Sequence, residues 1–316
     1  MAAAGGKTFN YICSHDMRPE NPLHVRLTQM WDAVRKETDG RLEVEIVPWG
    51  GTGPSKVTLT KLLEGDIAFH PVSGMPLSTI VPLAAMEGFP FAYESELEAL
   101  RVLDGPFGDL LRSEIAAKGL VIFPLVWYQG FNQITSSTSP IRTVDDLDGF
   151  RIRTAQVPYK IDLFKALGCD PQPFHYQAVY DALKTGAASG QETPYYYVEL
   201  DRFAEVQSYL SVTNHRFAAF WLCANPERWQ ALPQDVRDIV ERNIRKYVAL
   251  FREDMHRVNA EARERLKSRL QIVDADTSTF VARLIESGFY ARWRKEWGEK
   301  AWRLLETQLG RPLPRS

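Results

Sequence analysis

Within the first seventy residues, short β-patterned runs alternate with amphipathic helical ones. Residues 9–13 read as a strand. Asn21-Pro22 then opens a helix whose apolar positions Leu23, Leu27, Met30, Trp31 and Val34 share one face, and Asp39-Gly40 closes it. Residues 42–47 alternate Leu42, Val44 and Ile46 as a strand. Gly50-Gly51-Thr52-Gly53-Pro54 is a tight loop, followed by a second helix through Leu59, Leu62 and Leu63 that ends at Gly65; residues 67–69 give a third strand. This βαβαβ order demands a parallel sheet with right-handed helical crossovers. Such sheets bind ligands beyond the carboxyl ends of their strands. That criterion singles out His15, His70 and Ser73.

The pattern repeats further on. A broken helix over 94–118 and a strand over 120–127 lead to a polar stretch at 136–140, read as a crossover into a second unit. There, strands at 150–154 and 190–193 flank helices at 158–167 and 178–184. Two strands, 206–213 and 216–223, return toward the first unit. A helix from Leu232-Pro233 to Leu266 keeps its period through Val236, Val240, Ile244, Val248, Phe251, Met255 and Val258; at 1.5 Å per residue it is about 50 Å long, enough to lie along two domains. A further helical region, rich in Trp and charge, covers 279–309. With 316 residues, the expected partition is 1–125 plus 213–250 for one domain and 126–212 plus 251–316 for the other.

Several function classes fall away. A net charge of −2 leaves no basic footprint for nucleic acid. No run of 18 apolar residues spans a membrane. The dinucleotide, P-loop, zincin and nucleophile-elbow motifs are absent. The six histidines are not at metal-ligand spacings, and the three cysteines read as buried free thiols, so no cofactor or metal is expected. The stretch Met1-Ala-Ala-Ala-Gly-Gly-Lys has no apolar leader core.

Between 146 and 194 the sequence becomes specific. Asp146-Leu147-Asp148-Gly149-Phe150-Arg151-Ile152-Arg153 resembles "DLKGLKIR" of the extracytoplasmic solute-binding proteins of TRAP (tripartite ATP-independent periplasmic) transporters. In the same order, Phe164-Lys165-Ala166-Leu167-Gly168 resembles "FKALGA", Val179 to Gly186 resembles "VYTALQTG", and Gly190-Gln191-Glu192-Thr193-Pro194 resembles "GQENP". Weaker matches lie at 48–53, at 130–135 ("GFRQIT"), and at Thr213-Asn214-His215 with 229–233.

The resemblance implies a two-domain α/β clamp with mixed sheets, hinge strands and one long helix spanning both domains. It implies a binding protein, not an enzyme, that closes on a small organic carboxylate and hands it to TRAP membrane subunits. The protein is then expected to be periplasmic, with its leader absent, and a monomer. Arg153 takes the place of the family's carboxylate-binding arginine, and a guanidinium suits that role because its planar N–H pair matches two carboxylate oxygens. An Arg153–Asp148 pair is the structural alternative. The family's asparagine in "GQENP" is Thr193 here, and its second arginine, in "GFRQIT", is Asn132. With that charge missing, one carboxylate is favoured over two. Tyr176 stands where the family often has phenylalanine. With Trp127 it would stack on an aromatic or branched keto or hydroxy acid. His215, in the "TNH" match, is the last candidate contact. Alternatives are a ligand-sensing domain for a receptor, a binder of C4-dicarboxylates or sugar acids, and, least favoured, an enzyme on the same scaffold.

Overall fold

The computed structural model describes residues 7–314; Met1 to Gly6, read above for a leader, lie outside the described residues. Among the described residues are ten strands: β1 Phe9–Ser14, β2 Leu42–Val47, β3 Phe69–Ser73, β4 Val121–Ile122, β5 Trp127–Ser136, β6 Arg151–Thr154, β7 Asp170–Pro173, β8 Gly190–Thr193, β9 Tyr209–Ala224 and β10 Gln271–Asp274. They hydrogen-bond in the order β2-β1-β3-β9-β5-β8-β6-β7, with β4 and β10 also paired to β9.

The outer neighbours are parallel, β1 with β2 and β3 on one side and β6 with β7 and β8 on the other. Between these halves run β5 and β9, antiparallel to each other. The C-terminal half of β9 pairs with β3 and its N-terminal end with β10, so β9 serves both halves, while β5 joins it to β8. The result is the mixed, two-domain α/β arrangement expected from the sequence.

Local chemistry explains the regular elements. Helix Pro22–Glu37 starts where the Asn21 side chain accepts the Leu23 N–H at 2.8 Å, and it buries Leu23, Leu27, Met30, Trp31 and Val34. Trp31 then packs on Phe69 of β3 at 4.5 Å between ring centres. The long helix covers Gln234–Leu266, 33 residues.

The hinge strands are irregular in two places, and each irregularity is pinned. Near Gly130 (φ +121°) β5 shifts register against β9, and a Cβ at that glycine would lie 2.9 Å from Asn259 Nδ2. Asn259, on the long helix, donates to Gln129 O at 2.9 Å and accepts the Tyr196 N–H at 3.2 Å. Opposite Gln133, β9 bulges through residues 212–215, with Asn214 at φ +42°. The buried Gln133 carboxamide takes up the loosened backbone: Oε1 accepts from Thr213 and Asn214 N–H, and Nε2 donates to Asn214 Oδ1 at 2.6 Å.

Some boundaries differ from the sequence reading. The strand expected at 120–127 is split, and Trp127 instead begins a hinge strand. The two strands expected at 206–213 and 216–223 are one, since β9 passes through the bulge without ending. The third strand runs from Phe69 to Ser73 rather than over 67–69. The C-terminal region is three helices, Thr277–Glu286, Phe289–Trp297 and Glu299–Leu309.

Candidate functional site

A cavity of about 240 Å³ lies where β5, β8 and β9 meet the loops of both sheet halves. Its walls include Asp16, Ser73 and Met75 from one half and Arg153, Lys160, Tyr176, Glu192 and Thr193 from the other. Gln129, Asn132, Arg216 and Phe220 of the hinge strands lie between them.

Arg153 is 6% exposed and stands on β6 with its Cα opposite Gln191 of β8. Its Nε and Nη2 donate to Phe174 O at 3.1 and 2.6 Å, and no carboxylate lies within ion-pair distance of it among the described residues. Asp148, the alternative partner, instead holds Arg283 at 2.9 Å. Burial lowers the Arg153 guanidinium to about 10, opposed by Glu192, so it stays a cation at neutral pH. Neighbouring Arg151, by contrast, is exposed and donates to Gly186 O.

Beside it lies a buried charge cluster. Glu192 accepts from Lys160 Nζ through Oε1 and from Asn132 Nδ2 through Oε2, with His215 Nε2 3.4 Å from Oε2. Burial favours the neutral acid, but Lys160, then His215 and Arg216, outweigh it and hold Glu192 below the usual carboxylate range. Burial takes Lys160 down to about 8 against the attraction of Glu192. Four polar atoms among the cavity-lining side chains are buried without a hydrogen-bond partner: Asp16 Oδ1, Asn132 Oδ1, the Tyr197 hydroxyl and Arg216 Nε.

Of the residues singled out in the sequence, Arg153, Thr193, Asn132, Tyr176 and Ser73 meet at this cavity. Four do not line it. Trp127 is fully buried and packs on Phe251 of the long helix at 5.2 Å, because the strand it begins turns it into the core. His15 takes the Met17 N–H on Nδ1 and meets His24 at 3.0 Å; burial, with His24 and His70, takes it down to about 3, so it is neutral. His70 is tied through Nδ1 to Ser14 O at 2.6 Å. These two histidines close the loop after β1 rather than face the cleft. His215 reaches the cavity only through Glu192, with its Nδ1 held by Thr213 Oγ1 at 2.8 Å.

The sequence reading missed Asp16, Lys160, Glu192 and Arg216. A signal existed for three of them. Lys160 shares a helical face with Leu163 and Phe164, while Glu192 and Arg216 are lone charges in buried strands. An ion on an apolar face is stable only when it is paired or serves a ligand.

A bridge between the halves reaches the cavity wall at Tyr176. Arg18, in the loop after β1, donates to Asp201 Oδ1 at 2.8 Å and stacks 4.0 Å over Trp49. Asp201 Oδ2 accepts from the Tyr176 hydroxyl on the other side. Arg18→Ala should weaken ligand binding about fivefold and lower the unliganded melting temperature by only a few degrees, because an ion pair with an exposed arginine contributes about 1 kcal/mol and Tyr176 still donates to the buried Asp201; calorimetry and a thermal melt check this.

A larger groove of about 430 Å³ lies among the C-terminal helices, but its Arg294 is already paired with Glu299 at 2.6 Å and it is remote from the hinge strands. No group of three or more His, Cys, Asp or Glu among the described residues is placed to hold a metal.

Two α/β halves, joined by two long strands and enclosing a cavity with a buried arginine that has no acidic partner, define the architecture of a two-domain solute-binding protein. The chain belongs to the bacterial extracellular solute-binding protein family 7 (DctP), whose profile matches residues 13–286, the solute-binding proteins of TRAP transport. The family is one of extracytoplasmic solute-binding proteins. No described helix is long and apolar enough to cross a membrane.

Among its relatives is the 2,3-diketo-L-gulonate-binding periplasmic protein YiaO of Escherichia coli K12, 28% identical over 209 residues. That match covers 66% of this chain and 63% of YiaO, so it spans less than two thirds of the relative's length. The C4-dicarboxylate-binding periplasmic protein DctP of Rhodobacter capsulatus is 29% identical over 273 residues, 84% of this chain and 78% of its own. The sugar acid binding protein DctPAm of Advenella mimigardefordensis strain DPN7T, solved with galactonate, superposes with a TM-score of 0.90 at 25% identity over 96% of this chain and 98% of that one.

Proposed function

We propose that this protein captures a polyhydroxylated monocarboxylate, a sugar acid, in the hinge cavity and presents it in the periplasm to TRAP membrane subunits. The carboxylate docks on Arg153. Thr193, Asn132 and Ser73 take hydroxyls, and the ring of Tyr176 lies along the carbon chain.

The observation that carries this reading is the set of unpartnered polar atoms around an arginine that no acid neutralises. Each buried polar atom left without a partner costs about 1–3 kcal/mol. An aromatic or branched tail would leave Asp16 Oδ1, Asn132 Oδ1 and Arg216 Nε stranded, whereas hydroxyls satisfy all three. With Trp127 withdrawn into the core, the case for an aromatic ligand loses its largest ring. Asp16 also bears on the choice between one carboxylate and two. Its oxygen Oδ2 is held by Ser55 Oγ at 2.7 Å, and Oδ1 faces inward as an acceptor that welcomes a hydroxyl and repels a second carboxylate. The galactonate held by the Advenella protein and the sugar-derived acid named for YiaO support the same class.

A thermal-shift panel tests it. D-Galactonate or D-glucuronate at saturating concentration should raise the melting temperature by several degrees, since a ligand at 1,000 times its Kd stabilises by about 4 kcal/mol. Succinate and phenylpyruvate should have little effect. Stabilisation by succinate or phenylpyruvate alone overturns the assignment.

A further inference from the structure

Asn132 stands where the family resemblance leads one to expect an arginine, which suggested a site one positive charge poorer. The ladder shows where that charge went. Asn132 of β5 has Arg216 of β9 as its direct Cα partner, and the Arg216 side chain lines the same cavity.

Arg216 is buried, and its one ion-pair contact among the described residues is loose. Its closest acid, Glu87, is 3.4 Å from Nη2, long for a charge-assisted bond. Glu87 is already engaged by the Gly74 N–H at 2.6 Å, the Trp221 Nε1–H at 2.8 Å and the Ala219 N–H at 3.1 Å. The Arg216 side chain packs against Gly88, where a Cβ would come within 2.3 Å of Nε, so only glycine leaves it room. That Nε–H is buried and has no acceptor. Arg153 acts electrostatically on Glu192 and Lys160, and so does Arg216, which puts the two arginines around one ion pair.

We infer that Arg216 is a specificity-determining residue that donates to the oxygen next to the ligand's carboxylate, so that the site selects 2-hydroxy and 2-keto acids. The inference rests on the sugar-acid reading above and narrows it. A ligand anchored on Arg153 brings its second carbon toward the hinge strands, where the Arg216 Nε–H lacks an acceptor. A ligand without that oxygen leaves the buried donor unsatisfied, and sites built around a hydrogen bond reject such analogues strongly.

The test is calorimetric titration with D-galactonate and with 2-deoxy-D-galactonate. The native protein should prefer D-galactonate at least tenfold. Arg216→Lys keeps a cation but removes the Nε–H, and should bring the two affinities within about threefold of each other while binding at Arg153 persists. A native protein that binds both acids equally overturns the inference and leaves the sugar-acid reading standing, and this measurement needs no variant. Arg216→Lys with the native preference intact does the same, and leaves Arg216 as a structural partner of Glu87. A native protein that binds neither acid overturns both readings.

Discussion

Arg153→Ala should weaken ligand binding by about 2–5 kcal/mol, which is roughly 30-fold or more in Kd. The ligand carboxylate would enter a cavity from which water is excluded and find no cation free to receive it. Lys160 is committed to Glu192, and Arg216 shares the vicinity of Glu87. Arg153→Lys should recover only part of the loss, because an ammonium cannot hold Phe174 O and a ligand oxygen in one plane as the guanidinium fork does. Fold stability should change little by comparison, since Arg153 neutralises no acid by direct contact. Calorimetry on the variant, with a melting curve alongside, separates these effects. Unchanged affinity in Arg153→Ala would remove Arg153 from the site.

Lys160→Met should have the largest effect on stability, a loss of about 3–5 kcal/mol in equilibrium unfolding. Lys160 is 2% exposed and its ammonium lies directly on Glu192. Removing it strands a buried carboxylate with Asn132 and His215 in direct contact and the Arg153 and Arg216 charges only farther off. Replacing both charges, Lys160→Met with Glu192→Met, should cost less than Lys160→Met alone, because no uncompensated ion remains. That ordering distinguishes a charge that must be balanced from a side chain that only fills space. Denaturant unfolding followed by tryptophan fluorescence reads it.

How far the sequence speaks depends on how local each signal is. The helix Pro22–Glu37, the strand β2 and the 33-residue helix follow from periodicity and from caps such as Asn21, all contained within a few turns of chain. The hinge does not. That β9 is one strand of 16 residues depends on Gln133, some eighty positions away, bonding the backbone of Thr213 and Asn214. Read along the chain, Thr213-Asn214-His215 looks like a break.

The site divides in the same way. Arg153 and Thr193 were legible because a strand motif carries them, and the structure sets both at the cavity. Trp127 was misplaced because its direction depends on where the preceding strand is split. Arg216 was passed over because the meaning of its charge depends on its register partner Asn132 and on the room left by Gly88, contacts that pairing alone creates. A buried ion stands out in a sequence only when the burial of its element is already known.

The central claim is that one carboxylate meets Arg153 while hydroxyls meet the unpartnered atoms across the cleft. A crystal structure of the protein with D-galactonate tests it most directly. The carboxylate should lie within about 3 Å of the Arg153 guanidinium, with hydroxyls on Asp16 and Asn132. A galactonate carboxylate bound elsewhere, with Arg153 left to Phe174 O alone, would contradict it.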